Sequence, residues 1–447
     1  MKLKPPTALR KYRVRGLVVA GVLVAGVGSL VLQTTPALAD PEFTFVAVGS
    51  DTIQDVYNQF ASDLGGTTLA SYNATNPVTA QTGDTITAIN ANSNESCSFP
   101  RPNGSTPGTD DLEASIGGTV GAGATSPLPA TGCIDIARSS APPNAPGTAP
   151  ADGSYTGANA IQFVPFAEDA ITGAYGPAAG GTTFTAQSND AAGDTLSVMT
   201  QTTALPAAGI NDLTVANLTT LYSSCQEVTT ANGQEFWPLG DTTAGQTTKP
   251  ANAVQIDLYI PQEGSGTEKF WATTLGFTYN NPPACVFTTI QAGPLAVNAT
   301  DNPNHIVFTD EEHDGTNVAT DPNGYAPFSI AQWISQSNGH NDRRHGAQLT
   351  SILNAATPAV QEAPTKLVNG ITEINPSFPI TRFVFSVVSL ARLTNPNDPL
   401  DGLLNGSSSF LCQDTGQILS YGFLPMNNTN TPGNTCGEIT AAYEAAP

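Results

Sequence analysis

Four short turns in this chain share one chemistry: GSDT at 49 to 52, RPNGST at 101 to 106, ARSSAP at 137 to 142, and GSGT at 264 to 267. Each offers hydroxyls, small side chains and backbone N–H groups, and two add an arginine. A small-residue turn entering a helix leaves amides without partners, and their dipoles sum to a partial positive charge that suits an anion. The candidate anion ligands are Ser50, Asp51, Thr52, Arg101, Ser105, Arg138, Ser139, Ser140, Gly264, Ser265, Gly266 and Thr267. Each turn also has a plainer reading. Thr267 would cap a helix, Ser50 or Asp51 would cap another, ARSSAP would be a polar loop and RPNGST a Pro/Gly turn. Finding all four in one chain favours the shared anion chemistry.

Catalytic constellations are weak by comparison. GSGT lacks the G-x-S-x-G elbow of a hydrolase, and the four histidines (His305, His313, His340 and His345) stand in polar stretches of one span, with no Ser/His/Asp order. No catalytic site, metal site or cofactor is expected. TDEEHDG around His313 reads as a solvated acidic loop, with cation binding as the sharper alternative. The arginines of DRRHG at 342 to 346 are expected to pair with nearby acids, and Lys269 to be a solvated surface charge. Glu168 and Asp169 are read as helix-capping and packing groups, because adjacent residues on one element seldom face one point.

The elements that must carry these turns alternate. FTFVAVGSDTIQDVYNQFASDL reads as strand, tight turn and helix, with Ile53, Val56, Tyr57, Phe60 and Leu64 on one helical face. The same strand-then-helix grammar is read at 161–175, 254–271 and 383–393. NDLTVANLTTLY is a helix capped by Asn211 or Asp212, and AQWISQSNG a shorter one. Alternating strands and helices predict α/β layers with mixed sheets, and ligands in such folds sit where strand carboxyl ends meet helix starts.

The address is written at the front. Lys2, Lys4, Arg10, Lys11, Arg13 and Arg15 precede an uncharged apolar run ending at Pro36-Ala37-Leu38-Ala39, the pattern of a secretory leader cleaved after Ala39. Secretion to the cell exterior, with no lipid anchor, is the expectation. Loss of those six from 15 basic residues leaves 9 against 37 acids, a formal charge of −28. Such a surface argues against nucleic acid as a partner while leaving a local anion pocket open. Six cysteines (Cys97, Cys133, Cys225, Cys285, Cys412 and Cys436) in an exported chain predict three disulfides. Sequential pairing is expected, since each successive pair brackets one local segment.

Taken in order, the four turns resemble those of the phosphate-binding proteins of ABC importers, in particular a secreted Gram-positive branch. The resemblance extends to FVPFAEDAIT, LTVANLTTLY, QWISQSNGHNDRRHG and LCQDTGQILSYGFLPM. It implies a two-lobed periplasmic-binding-protein-like α/β fold with an interlobe ligand cleft. Residues 40–160 and 380–447 would form one lobe and 161–379 the other. It implies a monomer that captures inorganic phosphate, or a related oxyanion, for the membrane subunits of an importer, with no catalytic step. Two departures stand out: Pro261 and Ser140 occupy places where familiar members carry Arg and Asp. Relocation to Arg138 or Arg101 for the cation, and to Asp51 for the carboxylate, would restore those charges. An adhesion or interaction protein on the same fold is the other reading. A wet, cationic cleft would favour solute capture, and a cleft filled by apolar side chains would favour adhesion.

Overall fold

A computed structural model describes residues 44–77, 82–90, 95–118, 120–143, 159–176, 183–186, 197–200, 205–239, 249–288, 311–321, 323–354, 360–426 and 435–439. The expected leader and cleavage site lie outside these residues. Among the described residues no helix is long and apolar enough to cross a membrane.

The main sheet has twelve strands. Nine form its path: β1 (Phe45–Gly49), β2 (Leu69–Ser71), β3 (Ile136–Ser139), β4 (Ile161–Tyr175), β5 (Val228–Thr229), β6 (Glu235–Pro238), β7 (Val254–Tyr259), β8 (Gly324–Ser329) and β9 (Thr381–Ser389). Their order in space is β2-β1-β3-β9-β4-β8-β7-β6-β5. The helices that matter for the site are α1 (Gln54–Asp63), α2 (Ser105–Ser115), α3 (Gly266–Leu275) and α4 (Ile330–Ser337). This is a mixed α/β architecture, as the alternation of patterns predicts.

β4 organises it. Read from its sequence as strand then helix, residues 161–175 instead form one continuous strand, and every residue but Glu168 is buried. Both faces are covered, so the period-2 alternation that marks a half-buried strand is absent. Its first part pairs antiparallel with β9, from Ile161 opposite Ser389 to Ala170 opposite Thr381. Its last part pairs antiparallel with β8, from Ile171 opposite Ser329 to Tyr175 opposite Tyr325.

The register fixes where the turns fall. β1 and β3 are parallel to each other, β3 is antiparallel to β9, and Ser139 lies opposite Phe385, itself opposite Pro165. β7 and β8 are parallel, and β8 ends at Ser329 opposite Ile171. The carboxyl ends of both halves of the sheet therefore aim at the middle of β4, where β9 also shifts register between Val384 and Phe385. A bulge next to converging strand ends is a common device for re-aiming side chains.

Two large buried clusters lie against the sheet. One runs from Phe45, Tyr57 and Phe60 through Phe166 to Trp271, Tyr325 and Phe423, and the other gathers Val46, Ile86, Phe99, Leu112 and Phe385. Tyr421, Phe423 and Met426 of the closing YGFLPM are core, as expected. The disulfides are sequential: Cys97–Cys133, Cys225–Cys285 and Cys412–Cys436. The helix in NDLTVANLTTLY starts later than its pattern suggests, at Val215. Thr214, not Asn211 or Asp212, makes the cap, through a reciprocal bond with Asn217.

Candidate functional site

The four turns meet. Ser50, Asp51 and Thr52 follow β1, Ser140 follows β3, and Ser105 begins α2. Ser265 caps α3, its side chain accepting from the Glu268 amide. The cap is therefore Ser265 and not Thr267, because the hydroxyl two residues earlier is the one in extended backbone. No side chain caps α1, so Ser50 and Asp51 are not capping groups there. Thr106 N donates to Gly264 O at 3.2 Å, bringing the starts of α2 and α3 together. Gly104 makes this approach feasible: its φ is +122°, and a Cβ there would stand 2.5 Å from Gly264 O.

Ser140 Oγ is the hub. It lies 3.0 Å from Ser50 Oγ, 3.0 Å from Thr52 Oγ1 and 3.3 Å from Ser105 Oγ, and its amide donates to Ser105 Oγ at 3.0 Å. Gly266 sits against this knot, close enough that a Cβ would meet Ser140 Oγ at 2.2 Å and Ser105 Oγ at 2.3 Å. Hydroxyls and helix-start amides gathered in this way are what an anion needs.

An anion is there, and it belongs to the protein. The carboxylate of Glu312 is fully buried. Oε1 accepts from Ser265 Oγ and from the Thr267 amide at 3.1 Å. Oε2 accepts from Thr52 Oγ1 at 2.9 Å and lies 3.3 Å from His313 Nε2. His313 Nε2 is also 2.8 Å from Thr52 Oγ1. Burial alone would raise the pKa of Glu312. His313, the Ser265 hydroxyl and the charge of Arg382 outweigh burial and hold it down to about 2. The described part of TDEEHDG is thus not a solvated acidic run: Glu311, Glu312 and His313 are all buried, with His313 in left-handed backbone at φ 59°. Charge runs face water only when no donor set elsewhere in the fold can replace that water. Among the described residues no group of three or more acids, histidines or cysteines is arranged to hold a metal.

A buried arginine that sequence reasoning missed stands behind Thr267. Arg382 on β9 donates through Nε and Nη2 to Asp169 Oδ2 at 3.1 and 2.9 Å, and through Nη2 to Thr267 Oγ1 at 3.1 Å. The two residues are direct neighbours across the β4–β9 ladder. A usable signal did exist: one Arg inside the apolar run TRFVFSVV and one Asp inside FVPFAEDAIT. Asp169 also accepts from Ser329 Oγ and from the Ala331 amide at the start of α4. Asp169 therefore stands in a strand, not in the helix read for 161–175, and its carboxylate takes an amide at the start of α4 from across the sheet.

Arg138 and Arg101 are placed elsewhere, which corrects the relocation proposed for the cation. Arg138 is fully buried and its guanidinium donates to the carbonyls of Ala47, Gly49, Ser50 and Tyr72 and to Ser71 Oγ. All five of its N–H groups are engaged, leaving none for a ligand. Arg101 donates to Asn73 O, lies over the Tyr72 ring and lines a separate groove of about 460 Å³ beside β2. Ser139 donates its hydroxyl to Ala141 O at 2.8 Å. Asp51 pairs with Arg343 at 2.8 Å, and Arg344 pairs with Asp342, so the DRRHG arginines meet acids as expected. Lys269 is part-buried beside α2, with burial lowering its pKa and Asp110 opposing this.

No protein-family model matches the sequence, and no curated protein matches it. Solved structures similar to the chain include a substrate-binding protein of Clostridium perfringens with bound phosphate. That match has 12% identity, covers 87% of this chain and 100% of that one, and has a TM-score of 0.39. A human phosphate-binding apolipoprotein is similar at 12% identity, covering 85% and 90%, with a TM-score of 0.39. A phosphate-binding protein of Stenotrophomonas maltophilia is similar at 10%, covering 86% and 91%, with a TM-score of 0.35. At such identities and scores, function is left to the geometry of this chain.

Proposed function

We propose that the protein is an extracellular solute-binding protein that captures a phosphate-class oxyanion and presents it to an importer. One observation carries this reading. Donors from separate turns, on the facing ends of the two halves of the sheet, converge on a single buried negative group. A site that holds the carboxylate of Glu312 ionised against full burial has the donors and the field to desolvate a small oxyanion. Thr52, Ser265, the Thr267 amide and Arg382 behind Thr267 supply the first contacts. Ser50, Ser105 and Ser140 supply hydroxyls for the further oxygens of a tetrahedral anion. Asp51 keeps one buried oxygen with no hydrogen-bond partner. That oxygen would accept from a protonated phosphate and repel sulfate, which has no proton to give.

The test is calorimetric titration of the anion-stripped mature chain with phosphate and then sulfate. Phosphate binding that exceeds sulfate binding, and that weakens at least tenfold in Ser265→Ala, supports the reading. Response to neither anion, in the parent and in a variant lacking the Glu312 carboxylate alike, removes it. A second reading, a cell-surface interaction protein on the same fold, calls for a site filled by apolar side chains. The occupant is a carboxylate and not an apolar side chain, so the cleft keeps the polar character that solute capture needs.

A further inference from the structure

The acidic segment 311–315 reaches the anion site from a fixed base. Gly315 N donates to Arg343 O at 2.8 Å, and a Cβ at Gly315 would stand 2.0 Å from Arg344 O, so the two backbones lie in direct contact. His345 Nε2 lies 3.4 Å from Asp314 Oδ1. Gln336 on α4 donates to His313 O and accepts from the Arg343 amide at 2.8 Å. Segments 311–315 and 342–346 thus form one unit seated on the second half of the sheet.

That unit grips the first turn of the other half at two points. Glu312 and His313 hold Thr52, while Arg343 holds Asp51. Gln332 of α4 adds a third contact, donating to Thr52 O. The group at the centre of the grip is the same carboxylate that takes the Ser265 and Thr267 donors.

We propose that Glu312 is a tethered competitor for the anion site, so that a solute anion binds only by driving the 311–315 arm off Thr52, Ser265 and Thr267. This rests on the reading of the cleft as an anion site and adds how that site is controlled. Two anions cannot share donors this close in a buried place, because the Coulomb repulsion of neighbouring like charges there is large. A carboxylate held on a short tether competes at a high local concentration, and apparent affinity falls by the fraction of molecules in which the arm is home. The arm also supplies contacts between the halves, so its departure loosens the grip on the GSDT turn while an entering anion replaces it. Selectivity follows, since only an anion offering more acceptor oxygens than a carboxylate gains enough from Ser50, Ser105 and Ser140 to win.

Titration of the anion-stripped mature chain, Glu312→Ala and Glu312→Gln with inorganic phosphate and with acetate tests this. Acetate replaces the atoms that the alanine variant lacks. Phosphate should bind Glu312→Ala at least tenfold more tightly than the parent, and acetate should bind that variant while giving no response in the parent. Glu312→Gln keeps the shape and loses the charge, and it too should gain phosphate affinity, which keeps the test open if the alanine variant does not fold. Equal phosphate affinity in the parent and the folded variants overturns the competitor. So does failure of every anion, acetate included, to bind either variant. Acetate binding to Glu312→Ala with no phosphate binding anywhere upholds the competitor and removes phosphate capture instead.

Discussion

Glu312 shows how far one side chain departs from its residue type. A glutamate in a run of acids ordinarily faces water at its usual pKa; this one is buried, ionised and surrounded by donors. Its value of about 2 against the ordinary 4.5 means that folding favours the ionised form. The stabilisation is fully present above about pH 4.5 and is lost as the pH falls toward 2, with a size of about 3 kcal/mol at most. Glu268 works in the opposite sense. Burial pushes it up to about 9, so it costs stability as the pH rises from its ordinary value toward 9. Urea unfolding across pH 2 to 7 should therefore show a steeper acid loss in the parent than in Glu312→Gln. Parallel profiles would place the acid sensitivity elsewhere.

At the scale of elements, the site depends on backbones that approach too closely for side chains. Gly104 against Gly264 and Gly266 against Ser105 and Ser140 bring α2, α3 and the turn after β3 into one knot. Gly266→Ala puts a better helix former at the start of α3, yet its methyl would overlap two hydroxyls. The expected cost is about 1 to 3 kcal/mol by the overpacking rule, read as a drop in the urea midpoint with the slope unchanged. β4 has its own close contact: a Cβ at Gly173 would fall 1.8 Å from the Tyr325 ring, whose hydroxyl lies 3.1 Å from Thr350 Oγ1. Gly173→Ala forces that ring out of its place between β4 and β8, and a loss of similar or larger size is expected by the same measurement.

At the scale of the molecule, the sheet is continuous through β4, while local segments are cross-linked by three disulfides. Each closes a loop of 24 to 60 residues in the chain. In the chain-entropy account such loops stabilise by about 3 to 4 kcal/mol apiece. Scanning calorimetry with and without a thiol reductant should show a large fall in the melting temperature; an unchanged melting temperature, with reduction verified by thiol counting, would mean that the core alone sustains the fold.

Sequence by itself determined much of this protein. The four turns, their order and their hydroxyls were legible because turn residues and helix starts are local signals. So were the strand–helix entry of the first segment and the helix after GSGT. The even cysteine count and the short separations pointed to sequential disulfides, and the buried YGFLPM was an apolar pattern. Tertiary structure decided what local signals cannot carry. β4 is a strand along its whole length because both of its faces are covered, which depends on partners distant in the chain. Arg138 is consumed by carbonyls of its neighbours, while Arg382, silent as a motif, reaches Thr267 by standing opposite Asp169. Glu312 looked like a solvated acid, and only the meeting of Thr52, Ser265 and Thr267 made it an internal anion. Charge is written in the sequence, but whether water or protein solvates it is a property of the assembled fold.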